Sequence, residues 1–209
     1  MNKHKNFFIA LEGIDGSGKS TQLKLLSEAL QEKGHKIYST CEPTKSRIGQ
    51  IIRDAFTHKI ELDHKVIAGL FVADRLNHLL DKNEGIITKL TEGYTVITDR
   101  YYFSSYAYQG VHVPLDWVIQ ANAMSAELKR PDLNIYVDID PATSMNRLQK
   151  TRESIELYET FENLQNVRDK YLEAINKLKN QEEIFIVDGT NPPKSITNAI
   201  MEKINSLTV

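Results

Sequence analysis

The chain has 209 residues, of which 41% are hydrophobic and 26% are charged, and its formal net charge is −2 at pH 7. This length can bury a sizeable core in one domain, and the near-neutral charge gives no reason to expect nucleic acid or an anionic membrane as a partner. The single cysteine, Cys41, excludes an internal disulfide. The five apolar residues 7–11 are too few for a signal peptide, and no apolar run approaches the ~20 residues of a membrane span. We therefore expect a soluble protein of the reducing cytoplasm.

The first motif lies at the N-terminus. The apolar run 7–11 predicts a buried strand, and residues 13–20 (GIDGSGKS) fit the P-loop pattern G-x-x-x-x-G-K-[ST]. In such a loop backbone N–H groups surround phosphate oxygens, Lys19 reaches the β- and γ-phosphates, and Ser20 can hold Mg²⁺. The alternative is a glycine turn that only joins a strand to a helix. The predicted strand–loop–helix context favours nucleotide binding by Gly13, Ile14, Asp15, Gly16, Ser17, Gly18, Lys19, Ser20 and Thr21.

Strands and helices alternate along the rest of the chain. Apolar runs predict strands at 7–11, 36–41, 95–99, 133–138 and 183–188. Helical spacing of apolar residues predicts helices at 21–33, 48–56, 64–80, 82–92, 116–127, 161–180 and 193–207, with another starting at Pro141. Asp63 and either Thr190 or Asn191 are expected to cap helices. Residues 100–114 are expected to be irregular, and the polar run 151–159 is interpreted as a mobile segment.

This order predicts one α/β domain over residues 1–209, with a five-stranded parallel sheet and helices on both faces. Sheets of this kind bind ligands at the carboxyl ends of their strands. The P-loop, Glu42, Asp99 and the acids at 138–140 all lie at such ends. We therefore expect them to converge on one site.

Three classes of P-loop protein compete for this pattern. They are a kinase for a small phosphate-bearing acceptor, a GTPase or ATPase switch, and a nucleotide-binding domain without turnover. A GTPase should carry Asn-Lys-x-Asp after a strand, and the nearest string, residues 81–84 (DKNE), neither fits nor follows one. A kinase needs a second anion site made of arginines far from the P-loop in sequence. Single arginines are mostly solvated surface residues, but Arg100 directly follows the third strand, where such a sheet places its ligand.

From residue 8 to about residue 188 the sequence resembles the thymidylate kinase family, whose members phosphorylate dTMP to dTDP with ATP. The matching segments are 11–22 (LEGIDGSGKSTQ), 42–44 (EPT) with Arg53, 71–75 (FVADR), 99–101 (DRY), 104–105 (SS), 107–110 (AYQG) and 131–133 (PDL). The DRY and AYQG segments are the most specific to the family. The resemblance implies a nucleoside monophosphate kinase fold, ATP and dTMP as substrates, Mg²⁺ with ATP, and a homodimer. The helices near 66–80 and 116–127 are candidates for the dimer contact, although their apolar faces would equally fit the core of the domain.

The resemblance also implies which residues hold the nucleoside. Phe71 would stack on thymine, although an apolar helix face would equally place it in the core. Arg75 would bind a base carbonyl, and Ser105 would contact the other polar edge of the base. Tyr108 would crowd the sugar 2′ position, and Asp15 would lie near the acceptor's 3′-OH and phosphate. The implied dTMP site comprises Asp15, Glu42, Arg53, Phe71, Arg75, Arg100, Ser104, Ser105 and Tyr108.

The charged part of the implied site handles phosphate and metal. Arg53 and Arg100 would clamp the acceptor phosphate, because a guanidinium forms bidentate bonds to phosphate oxygens. Asp99 would either hold Mg²⁺ together with Ser20 or orient Lys19 or Arg100. Glu42 would bind ordered water or metal near the acceptor. The implied catalytic residues are Lys19, Arg152, Arg100 and Asp15.

The family divides by the position of its catalytic cation. One type has an arginine after the P-loop acid, where this chain has Gly16, so the chain resembles the type that uses basic residues of a lid, here about 147–159. Arg152 is the first choice for the transferring phosphate, Lys150 is a further candidate, and Arg147 is expected near adenine. Two departures stand out. Residues 156–159 (ELYE) lack a basic residue that the family often has, and Cys41, which replaces an arginine, is expected to be a small buried residue.

The alternative within this fold is a deoxynucleoside kinase. It would phosphorylate a sugar hydroxyl and would need a carboxylate base, for which Glu42 could serve. The two-arginine clamp argues against it. A nucleotide-binding switch without small-molecule kinase activity also stays open.

Overall fold

The computed structural model describes residues 5–151 and 160–207, so Arg152 and most of the expected lid lie outside the described residues. Its strands are β1 (Phe8–Glu12), β2 (Lys36–Cys41), β3 (Tyr94–Asp99), β4 (Leu133–Asp138) and β5 (Ile184–Asp188). They form one sheet in the order β2-β3-β1-β4-β5, and every neighbouring pair is parallel. The predicted five-stranded parallel sheet is confirmed.

The sheet is buried on both sides. Alternate residues of β1 belong to two separate hydrophobic cores, with Phe8 and Ala10 in one and Ile9 and Leu11 in the other. The helices that cover the two faces are α1 (Lys19–Glu32), α2 (Arg47–Phe56), α3 (His64–Leu80), α4 (Ile86–Thr91), α5 (Tyr102–Tyr108), α6 (Leu115–Ala121), α7 (Ala123–Leu128), α8 (Pro141–Thr151), α9 (Phe161–Leu178) and α10 (Pro193–Ser206).

The segment expected to be irregular is mostly helical, and that prediction was wrong. After Arg100 and Tyr101 the chain forms α5 and then a short 3₁₀-helix over Gln109–Val111. All seven residues of α5 are buried. Because this helix has no polar face, the sequence shows no amphipathic period from which a helix could be predicted. The expected helix over 116–127 is two helices, α6 and α7, joined at the buried Asn122.

Two helix starts also differ from expectation. The helix expected from residue 82 begins only at Ile86, because the Asp81 carboxylate accepts hydrogen bonds from the N–H groups of Asn83 and Glu84 and holds a turn there. The last helix is preceded by Pro192 rather than capped by Thr190 or Asn191. Thr190 instead donates its hydroxyl to Asp188. Asp63 caps α3 as expected, since its carboxylate accepts from the Lys65 N–H.

The surface shows two further features. Cys41 was expected to be buried, but it is exposed, because it ends β2, an edge strand of the sheet. None of the helices in residues 5–151 and 160–207 combines the length and apolar composition needed to cross a membrane.

Candidate active site

The loop between β1 and α1 has the backbone of a phosphate cradle. Gly13 and Gly16 have positive φ angles of 146° and 72°, and residues other than glycine rarely adopt such angles. A Cβ on Gly13 would also lie 2.6 Å from the Val137 carbonyl oxygen. Lys19 folds back over the loop and donates to the carbonyl oxygens of Gly13 and Ile14, each at 3.0 Å. The phosphate loop predicted from the motif therefore has both its cation and its open backbone in place.

The environment of Lys19 perturbs its charge. The side chain is buried, with 6% of its surface exposed. Burial, followed by repulsion from the Arg100 guanidinium, lowers the pKa of Lys19 to about 8. A bound phosphate would raise the pKa of Lys19 again, because its negative charge would stabilise the ammonium.

Ser20 and Asp99 meet at the carboxyl edge of the sheet. The Ser20 hydroxyl donates to Asp99 Oδ2 at 2.8 Å, and Asp99 Oδ1 is buried with no hydrogen-bond partner among the described residues. A hydroxyl and a carboxylate oxygen beside a phosphate loop are hard oxygen donors of the kind Mg²⁺ takes in NTP sites, where it keeps most of its ligands from phosphate and water. The described residues contain no group of three or more His, Cys, Asp or Glu side chains that could hold a metal ion by themselves. The pair fits Mg²⁺ that arrives with a nucleotide.

Helix α8 rests directly on the P-loop. The buried Ser144 hydroxyl donates to the Asp15 carbonyl oxygen at 2.5 Å. A Cβ on Gly16 would lie 2.9 Å from the Ser144 carbonyl oxygen. Arg147, one turn further along α8, donates to the carbonyl oxygens of Gly16, Ser17 and Gly189 at 3.3, 3.4 and 3.0 Å. The helix that leads towards the expected lid is thus fastened to the phosphate loop, and a side chain at residue 16 would displace it.

Arg100 reaches across the P-loop from the end of β3. Its guanidinium donates to Asp15 Oδ1 at 2.5 Å, to the Tyr108 hydroxyl at 3.2 Å and to the Ser104 hydroxyl at 3.2 Å. The Tyr108 hydroxyl in turn donates to Asp15 Oδ2 at 2.7 Å. Burial raises the pKa of Tyr108 well above its usual value, so this hydroxyl keeps its proton. The structure therefore joins four residues of the implied acceptor site into one network beside the phosphate loop.

Arg75 is held in a buried network of its own. Its Nε and Nη2 donate to Glu42 Oε2 at 2.9 and 2.5 Å, and neither side chain has more than 1% of its surface exposed. The remaining N–H groups donate to Ser105, to Asn122 and to the Tyr101 carbonyl oxygen. All five donors of the guanidinium therefore have partners. Contact between Arg75 and a base carbonyl would require one of these bonds to open.

Arg53 is placed by the loop that follows β2. It donates to the carbonyl oxygens of Pro43 and Thr44 at 3.1 and 2.5 Å. The buried Asp74 carboxylate holds the same loop, accepting from the Thr44 N–H and from the hydroxyls of Thr44 and Ser46. The loop that carries Glu42 and the helix that carries Arg53 are in this way tied to α3.

Phe71 has 7% of its surface exposed and belongs to a small core with Ile52, Ala55 and Ile67. Its ring centroid lies 5.9 Å from that of Phe56, with the two rings tilted. These contacts show core packing. The stacking role implied for Phe71 stays a prediction.

A cavity of about 890 Å³ extends from the P-loop to Glu42 and Arg100. It runs along the carboxyl edge of the sheet and reaches Lys150 on α8, as well as the turn after β5. Its lining comprises residues 15–22, 41, 42, 99, 100, 147, 148, 150, 189–193 and 196. The P-loop, Glu42 and Asp99 converge here as the sheet topology predicts, together with Arg100. The acids expected at 138–140 do not line the cavity, because Asp138 pairs with Arg168 and Asp140 accepts from Thr143 at the start of α8.

Comparison with known proteins decides the family. The model of the family described as thymidylate kinase matches residues 11–200. The chain belongs to the thymidylate kinase family. It is 43% identical over 166 residues to a probable thymidylate kinase of Pyrobaculum calidifontis, a match covering 79% of this chain and 80% of that protein. It is 35% identical over 202 residues to the thymidylate kinase of Leptospira borgpetersenii, a match covering 97% of this chain and 95% of that protein.

The site of this family member contains residues that the sequence analysis missed. Asp74 and His78 lie on α3 among apolar residues, and both are buried. His78 Nδ1 lies 3.1 Å from Glu42 Oε1. Asn122 accepts from Arg75, and Glu12 ends β1 with 1% of its surface exposed. A polar or charged side chain inside an apolar helix or strand is the signal that could have found them, because such a residue is buried only with partners.

Proposed function

We propose that this protein is an ATP-dependent thymidylate kinase, which transfers the γ-phosphoryl group of ATP to dTMP and yields dTDP and ADP. The observation that carries the proposal is the Arg100 network, an arginine bound to Asp15 and Tyr108 beside the phosphate loop. It supplies a second anion site within the same cavity as the first. Membership of the thymidylate kinase family supports the choice of acceptor.

The acceptor site proposed here keeps the roles that the resemblance implies. Arg53 and Arg100 bind the acceptor phosphate, and Asp15 and Tyr108 lie at the sugar. The thymine base is bound by Phe71, Arg75 and Ser105, and Ser104 belongs to the same acceptor site. Glu42 is the one departure, because it holds Arg75 instead of the water or metal that the resemblance implies. For Arg75 to contact the base, one of its five buried hydrogen bonds must open when dTMP binds.

The proposed reaction needs alignment and charge neutralisation more than a proton transfer. A phosphate whose second pKa is ~6 is mostly dianionic at pH 7, so the attacking oxygen of dTMP needs no general base. Lys19 and Arg100 offset the negative charge of the transferring group, and binding of both nucleotides supplies the alignment. Ser20 and Asp99 would hold Mg²⁺, which would neutralise phosphate charge.

We further propose that the lid supplies another basic side chain for the transferring phosphate, because this chain has Gly16 where the other family type has an arginine. Arg147 bonds the carbonyl oxygens of Gly16 and Ser17 in the P-loop, and we assign it to contact with adenine. Lys150 lines the same cavity. Arg152 is the residue that we assign to the transferring phosphate.

A deoxynucleoside kinase is the weaker candidate. It would use Glu42 as a base at a sugar hydroxyl, but this carboxylate is buried against Arg75 and His78. Both oxygens of this carboxylate are therefore already engaged, and Glu42 could approach a sugar hydroxyl only by giving up one of these contacts.

The proposal also includes a homodimer in the cytoplasm. Helix α3 contacts α6 and α7, and these helices expose Val66, Trp117 and Met124. These exposed apolar side chains on neighbouring helices are our candidates for the dimer contact. Light scattering should give a mass near twice 23.9 kDa, and Trp117→Arg should lower it to that of a monomer. A monomeric wild-type protein would contradict the dimer.

Direct product detection tests the proposed reaction. With ATP, Mg²⁺ and dTMP, ³¹P NMR should show the two phosphorus signals of dTDP appearing as those of ATP decline. Lys19→Ala should yield no dTDP while keeping the wild-type circular dichroism spectrum. Failure of the wild-type protein to make dTDP would overturn the proposal.

A further inference from the structure

Arg100 has an unusual backbone. Its φ angle is 74° although it carries a full side chain, and this left-handed conformation costs free energy for any residue other than glycine. Such a residue keeps the conformation only where its surroundings hold it in place. The polar groups around Arg100 should therefore include the ones that do so.

Three hydrogen bonds hold the turn. The Arg100 N–H donates to the Leu11 carbonyl oxygen at 2.9 Å, and the Thr98 hydroxyl donates to the Arg100 carbonyl oxygen at 2.8 Å. The next N–H along the chain, that of Tyr101, donates to Glu12 Oε1 at 2.9 Å. The left-handed turn points this N–H at β1, where the Glu12 carboxyl group receives it.

Glu12 also reaches the Arg100 side chain. Its Oε2 accepts from the Ser104 hydroxyl at 2.6 Å and from the Tyr171 hydroxyl at 3.1 Å. The same Ser104 oxygen accepts from Arg100 Nη1 at 3.2 Å. One buried carboxyl group thus fixes the backbone turn through Oε1 and one arm of the guanidinium through Oε2.

We propose that Glu12 is a positioning residue for Arg100. It holds the left-handed turn that sends the Arg100 side chain back across the P-loop towards Asp15, and it does so without touching substrate. Oε1 accepts the Tyr101 N–H whether or not the carboxyl group carries a proton on Oε2. The inference rests on the proposed function, in which Arg100 binds the acceptor phosphate.

A pair of substitutions at residue 12 separates positioning from simple packing. Glu12→Gln keeps the oxygen that accepts from Tyr101, whereas Glu12→Ala removes it. We expect Glu12→Ala to raise the Kd of dTMP by about tenfold or more while leaving the Kd of ATP within about twofold, because small misplacements of a binding group are costly. Glu12→Gln should recover most of the loss. In an Arg100→Ala background, Glu12→Ala should not raise the Kd of dTMP further, because the side chain that Glu12 positions is absent.

Calorimetric titration with dTMP and with ATP measures these constants. Equal losses of dTMP affinity in the Ala and Gln variants would overturn the proposal, as would a loss that persists without Arg100. Amide hydrogen exchange at Tyr101 gives a second measurement that uses no nucleotide and no Ala variant. We expect strong protection in the wild-type protein and in Glu12→Gln, and rapid exchange in either would overturn the proposal. If the wild-type protein does not bind dTMP, the proposed function fails while the exchange result still tests the turn.

Discussion

Arg75 Nη2 donates to Glu42 Oε2 across 2.5 Å, and the two side chains have 0% and 1% of their surface exposed. This ion pair connects α3 to the loop after β2, and Glu42 also contacts His78 through its other oxygen. Removing one partner of a buried pair leaves the other charge without compensation, which is costly. The pair therefore links the stability of the fold to the shape of the proposed acceptor site.

Glu42→Gln should destabilise the protein by about 3 kcal/mol, because it leaves the Arg75 charge buried and unpaired. Urea unfolding measures the change. The matched control is Glu84→Gln, which removes the exposed ion pair with Lys89 and should cost under about 1 kcal/mol. Equal costs for the two variants would show that the buried pair is not important for stability.

Gly16→Ala should weaken ATP binding more than Gly18→Ala does. Both glycines have positive φ, 72° and 101°, so both variants carry backbone strain of about 1–2 kcal/mol. A Cβ on Gly16 would also meet Ser144 in α8, whereas one on Gly18 meets nothing within 4 Å. The extra loss at residue 16 therefore isolates the contact between α8 and the P-loop. If the two variants have the same Kd for ATP, this contact does not shape the donor site.

Arg152→Ala should lower kcat by about 100-fold or more while changing the Kd of dTMP little, because its contact forms mainly in the transition state. Steady-state kinetics and calorimetry measure the two quantities. Arg130→Ala is the control, since Arg130 lies at the opposite end of β4 and bonds Glu182. An unchanged kcat for Arg152→Ala would refute the role and direct attention to Lys150.

The contribution of Glu12 to the free energy of unfolding should fall as the pH rises from about 4.5 to about 7. Burial raises the pKa of Glu12 to about 7 in the folded state from 4.5, even though Ser104 and Tyr171 donate to it and the cations Arg100 and Lys19 lie nearby. Between these values the folded protein binds more protons than the unfolded chain, so raising the pH favours unfolding. The shift corresponds to about 3 kcal/mol.

Urea unfolding of the wild-type protein and of Glu12→Gln across this pH range tests that dependence. Because glutamine does not titrate, the difference in unfolding free energy between the two proteins should change with pH. A constant difference would mean that Glu12 titrates alike in both states.

The strands and most helices could be predicted because their apolar residues recur at clear intervals. β2 and β4 begin and end where predicted, since polar turns bound each apolar run. Helix α5 could not be predicted, because burial on all sides removes the contrast between faces. The exposure of Cys41 depends on which strand lies at the edge of the sheet, and strand order cannot be predicted from local sequence patterns.

The phosphate loop could be predicted from its motif, because consecutive residues form it. The contacts of the proposed acceptor site could not, because they join residues far apart in the chain, such as Arg75 with Glu42 and Asn122. The resemblance to a family supplied the candidates, and the structure shows which of them lie together. Asp15, Arg100 and Tyr108 form one network, whereas Arg75 and Ser105 belong to another.

The central claim is that this protein phosphorylates the phosphate of dTMP rather than a sugar hydroxyl. The most direct measurement is kcat/KM for dTMP, dUMP, thymidine and dGMP in parallel, with ADP release coupled to a second enzyme. A site built around charged groups rejects an acceptor that leaves them unpaired. The kcat/KM for dTMP should therefore exceed that for thymidine by about 1,000-fold or more. Comparable values for thymidine and dTMP, or no turnover with any of the four, would contradict the claim.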